Sequence, residues 1–255
     1  MIILSGGDSF TYGDELADQS FEHASSSTWV ALLAKKFGFD YESVSEGGIG
    51  NDCIARSVIT RASELKKQNK KFAVAIMWTF TGRIELRVNQ KWYQLNDWVF
   101  WDSIEKFQTD WSHLPKKVFD SIQSRLQGVR DEGILPLFRD YMKYTVLTGD
   151  YAIIKSYQSI YLTAQYLKQH NIPFFFVNAT DHAVGITREH TWPDVVPYFN
   201  SIDSGDWMPI PSFYEWAKEN NYEMGSAKHP LERAHADYAK LILETGLVES
   251  KWQLK

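Results

Sequence analysis

The sequence predicts an α/β protein with a mostly parallel β-sheet that is covered by helices on both faces. Two observations lead to this fold class. Short apolar segments alternate with longer segments in which apolar residues recur at helical spacing, and this order implies parallel strands joined by crossover helices. In addition, residues 72–78 are apolar throughout, which is typical of a central parallel strand buried on both faces.

Each element follows from its local pattern. Strands are predicted over residues 2–4, 41–44, 72–78 and 174–178. Helices are predicted over residues 29–37, 53–68, 150–170 and 234–246. We expect one domain over residues 1–255, with an insertion at 85–145 and a long connection at 179–228, and connections of that length often carry function.

The bulk properties exclude several classes of protein. Hydrophobic residues make up 44% of the 255 residues, enough for a full core, and the net charge of -5 comes without the basic face of a nucleic-acid-binding protein. Cys53 is the only cysteine, so no internal disulfide can form. No apolar run reaches the ~20 residues of a membrane span. The first strand leaves no room for a signal peptide, so we expect a cytoplasmic protein, or a virion component if a phage encodes it.

The first strand ends in a turn that carries a candidate nucleophile. Gly6 and Gly7 follow the strand, and Asp8 and Ser9 come next. A serine on a turn from a strand into a helix projects its hydroxyl at the carboxyl edge of the sheet, where ligands gather in α/β proteins. Such a serine needs a partner base. The candidate base is His229, because Pro230 suits the first turn of the last helix and leaves His229 at its entrance.

Three short blocks resemble those of the SGNH (GDSL-type) hydrolases. Gly7-Asp8-Ser9-Phe10 is similar to the first block, and the glycine-rich run 47–51 after the second strand is similar to the second. His229-Pro230, followed by His235 and Ala239, resembles the last block. The resemblance spans nearly the whole chain, but it does not account for the insertion.

The resemblance implies a flavodoxin-like three-layer α/β/α fold and an ester hydrolase. No metal or organic cofactor is expected, because the histidines and acidic residues show no ligand-like spacing such as HExxH. The resemblance also implies Ser9 as nucleophile, His229 as general base, and an oxyanion hole built from the backbone amides of Ser9 and Gly50. His235 is expected to pack or cap locally.

The chain departs from this family at two positions. The third block normally contributes an asparagine to the oxyanion hole, and none occurs in residues 78–83. Asn51, Thr79 or Thr81 is therefore the expected third donor, and the loss of one donor costs roughly 10²–10³ in rate.

The second departure concerns the acid of the triad. Ser226 stands three residues before the histidine, where the family has an aspartate. We expect Ser226 to orient the imidazole, or a carboxylate to reach in from Glu223, Glu215 or Asp206. The favoured alternative is a Ser–His dyad with no carboxylate on His229.

Residues after the third strand are candidates for substrate binding. We predict that Trp78, Thr79 and Arg83 line the substrate site; Arg83 either pairs with Glu85 or binds a polar group of the substrate. The insertion is rich in aromatic residues, which form either a small core of their own or a platform for a sugar ring or an acyl chain. The aromatic residues concerned are Trp92, Tyr93, Trp98, Phe100 and Trp101, with Trp192, Trp207 and Trp216 from the long connection.

These observations predict a serine ester hydrolase that acts on an acylated carbohydrate or a small ester. One alternative is a carbohydrate-binding protein of the same fold with weakened catalysis. Another is a lipase or thioesterase, which an apolar pocket would favour. We expect no nucleic-acid or membrane partner.

Overall fold

The computed structural model describes residues 1–20, 22–96, 99, 116–146, 150–181, 193–194 and 196–252. Its main sheet has four parallel strands in the order β2-β1-β3-β6. A separate antiparallel hairpin pairs β4 with β5. The strands are β1 Ile2–Gly6, β2 Asp40–Ser43, β3 Phe72–Trp78, β4 Ile84–Val88, β5 Lys91–Leu95 and β6 Phe174–Asn178.

The described residues form ten α-helices, of which the second, third, sixth and ninth were predicted from the sequence. They are α1 Ser9–Tyr12, α2 Trp29–Lys36, α3 Asn51–Lys67, α4 Lys116–Asp131, α5 Leu135–Tyr141, α6 Asp150–Gln169, α7 Val196–Ser201, α8 Phe213–Glu219, α9 Glu232–Glu244 and α10 Val248–Lys251. Residues Met142–Val146 continue α5 as a π-helical turn. The alternating α/β order predicted from the sequence is confirmed. No helix among these described segments is both long and apolar enough to cross a membrane.

The strand order places a topological switch point between β1 and β3. The chain leaves β1 for β2 on one side and later returns to β3 on the other side. The two faces of the sheet bury separate cores, one with α2 and α9 and one with α3 and α6. Ligands of open α/β sheets bind outside the carboxyl ends of the strands at such a point. The segments that follow β1 and β3 are therefore the place to look for a site.

The insertion brings a core of its own. The β4–β5 hairpin turns at Asn89 and Gln90, whose positive φ values of 47° and 66° match a two-residue hairpin turn. Ile84 and Leu95 pack with Phe138 of α5 in a third apolar cluster. Tyr93 contacts Phe138 with 5.2 Å between ring centroids. This part of the insertion thus forms the small satellite core that was one of two expectations, while Trp98, Phe100 and Trp101 lie outside the described residues.

Candidate active site

Ser9 begins α1 at the switch point. Asp8 is its N-cap, and Asp8 Oδ1 accepts the backbone N–H of Phe10 at 3.1 Å. Asp8 Oδ2 accepts the hydroxyl of Thr79, which follows β3, at 2.5 Å. Asp8 is fully buried, so this pair of contacts ties the Ser9 turn to the end of the neighbouring strand. The first turn of a helix has unpaired N–H groups, which favour negative charge.

Two backbone amides after β1 and β2 have no hydrogen-bond partner among the described residues. They are the N–H groups of Ser9 and Gly50. Gly50 is the N-cap of α3, and a Cβ at this position would lie 2.1 Å from the carbonyl oxygen of Arg83. Only glycine therefore allows the second block to approach the segment after β3 this closely. Both amides are those that the sequence resemblance assigned to an oxyanion hole.

His229 is held by a tight turn before α9. Met224 and Pro230 form an antiparallel bridge, and Gly225 N–H donates to the carbonyl of His229 at 2.8 Å. α9 begins at Glu232 with Leu231 as its N-cap, two residues before the predicted start, so Pro230 precedes the first helical turn and does not lie in it. The bridge at Pro230 fixes this turn instead.

A carboxylate contacts His229, and it comes from the opposite end of the chain. Glu15 Oε2 lies 2.9 Å from His229 Nδ1. Glu15 Oε1 accepts the hydroxyl of Ser226 at 2.7 Å, and the backbone N–H of Ala227 lies within 3.1 Å of both carboxylate oxygens. A Cβ at position 225 would lie 2.3 Å from Glu15 Oε2, so Gly225 makes the space for this carboxylate.

The environment of Glu15 keeps it ionised. Burial alone raises the pKa of Glu15, but the hydrogen bonds from His229, Ser226 and Ala227 outweigh burial and lower the pKa to about 2. Glu15 has a φ of 70°, a left-handed conformation that non-glycine residues adopt at a cost of about 1–3 kcal/mol. Strained residues of this kind cluster at functional sites.

Glu15 corrects the sequence-based expectation for the triad acid. The favoured dyad without a carboxylate on His229 is wrong. Ser226 does not orient the imidazole itself; it donates to Glu15. The three suggested carboxylates are engaged elsewhere or exposed, since Glu215 accepts from Ser212, Asp206 pairs with Lys168, and the Glu223 side chain faces solvent.

Two predicted side-chain donors are already used inside the protein. Asn51 is fully buried, and its Nδ2 donates to the Thr79 carbonyl at 2.9 Å and to Ser156 Oγ at 3.2 Å. Its Oδ1 accepts Thr79 N–H at 2.8 Å. The Thr79 hydroxyl is committed to Asp8. Asn51 and Thr79 thus shape the site from beneath, and neither offers a free hydrogen to a bound oxyanion or substrate.

Trp78 and Arg83, the other two predicted substrate-binding residues, differ in their exposure. Trp78 is fully buried and packs on Phe176 with 5.3 Å between ring centroids, so it belongs to the core and not to a substrate surface. Arg83 remains partly exposed at the site, with Nη1 3.1 Å from Asp8 Oδ2. It does not pair with Glu85, because Arg56 holds that carboxylate through two hydrogen bonds of 2.7 and 2.8 Å.

His235 has the structural role expected of it. Its Nδ1 accepts the backbone N–H of Trp29, the first residue of α2, at 3.2 Å. The side chain is 1% exposed. Burial lowers the pKa of His235 to about 3, with His229 as a second and smaller cause, so the imidazole is neutral.

The aromatic residues considered for a platform lie in different environments. Trp207 packs on Phe176, and Trp216 packs against Tyr222 and Tyr238, so both tryptophans complete the packing of the long connection. Trp92 is 47% exposed, with the Arg56 guanidinium 4.6 Å from its ring. Trp192 lies outside the described residues.

Phe10, the residue that follows Ser9, contacts the His229 imidazole. The rings of Phe10 and His229 meet edge to face with 5.5 Å between centroids. Ser9 and His229 share no hydrogen bond, and their direct contact within 3.5 Å stays a prediction. Nucleophile–base hydrogen bonds are often long without substrate and shorten in the complex.

No protein-family model matches the sequence, and no curated protein matches it. Solved structures do match. A carbohydrate esterase family 2 enzyme with a carbohydrate-binding domain, from Corynascus thermopiles (Myceliophthora fergusii), is 14% identical with a TM-score of 0.50, over 98% of this chain and 66% of that chain.

The chain has the SGNH-hydrolase fold. Two further structures match less well: acetyl xylan esterase Est2A from Butyrivibrio proteoclasticus and psychrotrophic esterase EstA from Pseudoalteromonas sp. Est2A is 14% identical with a TM-score of 0.48, over 98% of this chain and 64% of that chain. EstA is 11% identical with a TM-score of 0.46, over 100% and 99%. This chain thus spans about two thirds of the length of the two carbohydrate-esterase chains.

Within the SGNH-hydrolase fold of this chain, Glu15 is the site residue that sequence reasoning missed. It lies six residues after Ser9 and 214 residues before His229. The available signal was weak: an acidic residue two positions after Gly13, the glycine that caps the short helix behind the nucleophile.

Proposed function

We propose that this chain is a serine ester hydrolase with Ser9 as nucleophile, His229 as general base and Glu15 as the acid that orients the base. The hydrogen bond between His229 Nδ1 and Glu15 Oε2 carries this proposal. When Nδ1 donates its hydrogen to the carboxylate, Nε2 is left as the acceptor for the Ser9 proton. An ionised Glu15 then stabilises the imidazolium that forms during the reaction.

The reaction proceeds through an acyl-enzyme. Ser9 Oγ attacks the ester carbonyl carbon while His229 Nε2 takes the hydroxyl proton, and the carbonyl oxygen becomes an oxyanion. The amides of Ser9 and Gly50 stabilise that charge. The tetrahedral intermediate expels the alcohol, which leaves with the proton from His229. Water then attacks the acyl-enzyme in the same way and releases the carboxylic acid and free Ser9.

We propose an acylated carbohydrate or a small ester as substrate. The name of the family 2 carbohydrate esterase with the same fold supports the choice of substrates to test first. A binding protein that had lost catalysis would not need a strained, ionised carboxylate on its imidazole. The retained Glu15–His229 pair therefore favours the enzyme over the binding protein.

The test is a panel of acetyl esters, covering acetylated sugars and small alcohols, combined with labelling by a serine-directed fluorophosphonate. We expect turnover and one labelled residue, Ser9. The Ser9→Ala variant should lose both, while circular dichroism and thermal melting show that it is folded. Turnover that survives in Ser9→Ala would exclude Ser9 as nucleophile, and a wild-type protein that neither labels nor hydrolyses any ester would refute the proposal.

A further inference from the structure

The asparagine that donates the third hydrogen bond to the oxyanion in the related family is absent here, and the structure reduces the number of side chains that could replace it. Asn51 Nδ2 and the Thr79 hydroxyl already donate their hydrogens to other groups of the protein. Among the described residues after β3, Arg83 is the cationic side chain that reaches the Ser9 turn. A guanidinium presents five N–H donors in a fixed planar fork.

Arg83 spans the gap between the two candidate backbone donors. Its carbonyl oxygen abuts the Cα of Gly50, at 2.1 Å from where a Cβ would stand. Its Nη1 donates to Oδ2 of Asp8, the residue before Ser9, at 3.1 Å, and to Thr79 Oγ1 at 3.3 Å. Arg83 therefore contacts Gly50 through its backbone and the residue before Ser9 through its side chain.

Most of the guanidinium is not used by the protein. Nε and Nη2 of Arg83 donate no hydrogen bond to any described residue. The guanidinium carbon lies 4.6 Å from the ring centroid of Phe80, which supports the group from one side. The side chain is 23% exposed, so its free donors remain accessible to a ligand. A residue that served only as counter-ion to Asp8 would have no need of a planar fork at this position.

We propose that Arg83 is a catalytic residue that donates the third, charged hydrogen bond to the oxyanion, in place of the asparagine of related sites. This inference rests on the proposed ester hydrolysis. The ester carbonyl oxygen gains its negative charge only in the transition state, so a positive donor held beside the Ser9 and Gly50 amides lowers the barrier more than it tightens substrate binding.

The experiment compares Arg83→Gln and Arg83→Lys with the wild type on a neutral acetate ester. Lysine keeps a cation beside Asp8 but loses the fork, so it separates catalysis from a counter-ion role. We expect kcat to fall about 10²–10³-fold in Arg83→Gln and at least about 10-fold in Arg83→Lys, with KM nearly unchanged. The rate of fluorophosphonate labelling at Ser9 should fall in parallel, because that reaction also develops charge on oxygen.

The matched control is Arg56→Gln. Arg56 lies on α3 and, like Arg83, is a partly exposed arginine that pairs with a buried carboxylate, in this case Glu85. Arg56→Gln should retain wild-type kcat, and thermal melting should show that the Arg83 variants are folded. Wild-type kcat in Arg83→Lys would overturn the proposal and leave Arg83 as a counter-ion. An effect confined to KM for carboxylate-bearing esters would overturn it in favour of substrate anchoring. If the wild-type protein neither labels nor turns over, it is the ester-hydrolase function that fails.

Discussion

Replacing Glu15 with glutamine removes one charge and sets the wrong tautomer on His229. Ser226 Oγ donates to Glu15 Oε1, whereas Ala227 N–H is shared between both carboxylate oxygens. In Glu15→Gln the amide oxygen keeps the hydrogen bond from Ser226 when it takes the Oε1 position. The NH₂ group then faces His229 Nδ1, which must become an acceptor, and the ring proton moves to Nε2. His229 can no longer accept the proton of Ser9.

The size of the effect follows from this geometry. Exchange of an orienting carboxylate for its amide in a serine triad costs about 10⁴ in kcat, or about 5 kcal/mol of transition-state stabilisation. By contrast, Ser226→Ala leaves the carboxylate and its charge in place and removes one hydrogen bond worth about 1 kcal/mol, so activity should fall by less than about tenfold.

The assay is kcat/KM on an acetate ester for the wild type, Glu15→Gln and Ser226→Ala at one pH. Circular dichroism and thermal melting verify that each variant is folded. Activity of Glu15→Gln within tenfold of the wild type would refute the role of Glu15 and return the site to a Ser–His dyad. A loss of equal size in both variants would show that the local structure had changed, and not the charge on the acid.

Three further predictions concern stability and space at the site. The pKa of Glu15 falls from 4.5 to about 2 on folding, so its ionisation stabilises the fold by up to about 3 kcal/mol above pH 4.5, and urea unfolding should show this lost as the pH falls towards 2. His235→Leu should keep turnover per folded molecule but lose about 1–3 kcal/mol of stability, because it removes the acceptor for Trp29 N–H. Between pH 6.5 and pH 3 the unfolded wild type binds a proton that folded His235 does not, so wild-type stability declines as the pH falls. His235→Leu should lack this decline. Gly50→Ala should lower both melting temperature and activity because its Cβ meets a carbonyl, whereas Gly82→Ala, with open space at its Cβ, should lower neither, and equal effects would refute the close approach at Gly50.

The sheet and its main helices could be predicted because the apolar residues of each element follow the pattern of its buried faces. The seven apolar residues of Phe72–Trp78 and the helical spacing in Trp29–Lys36 each record which faces are covered. Ser9 and His229 were also predictable, since each stands at the boundary of an element in a short motif. These features depend on neighbours along the chain.

The features that were missed depend on contacts across the fold. Glu15 meets His229 only when the turn after α1 folds against residues 225–227, and no spacing in the sequence reports that contact. From the sequence, Asn51 was expected to be a free donor, but in the structure its side-chain amide bonds the backbone carbonyl and N–H of Thr79. Residue type alone does not reveal whether a polar group is available or already satisfied.

The turn at 224–231 makes this site sensitive to one local unfolding event. Gly225 N–H to the His229 carbonyl and Leu231 N–H to the Glu223 carbonyl are its main backbone bonds. Ser9 and Glu15 are joined by six residues of continuous chain, whereas His229 lies 214 residues after Glu15 in a segment that this turn places against Glu15. Opening of the turn would thus separate the base from nucleophile and acid together. Hydrogen exchange at the Gly225 amide reports the free energy of that opening, because this amide is bonded to the His229 carbonyl while the turn is closed.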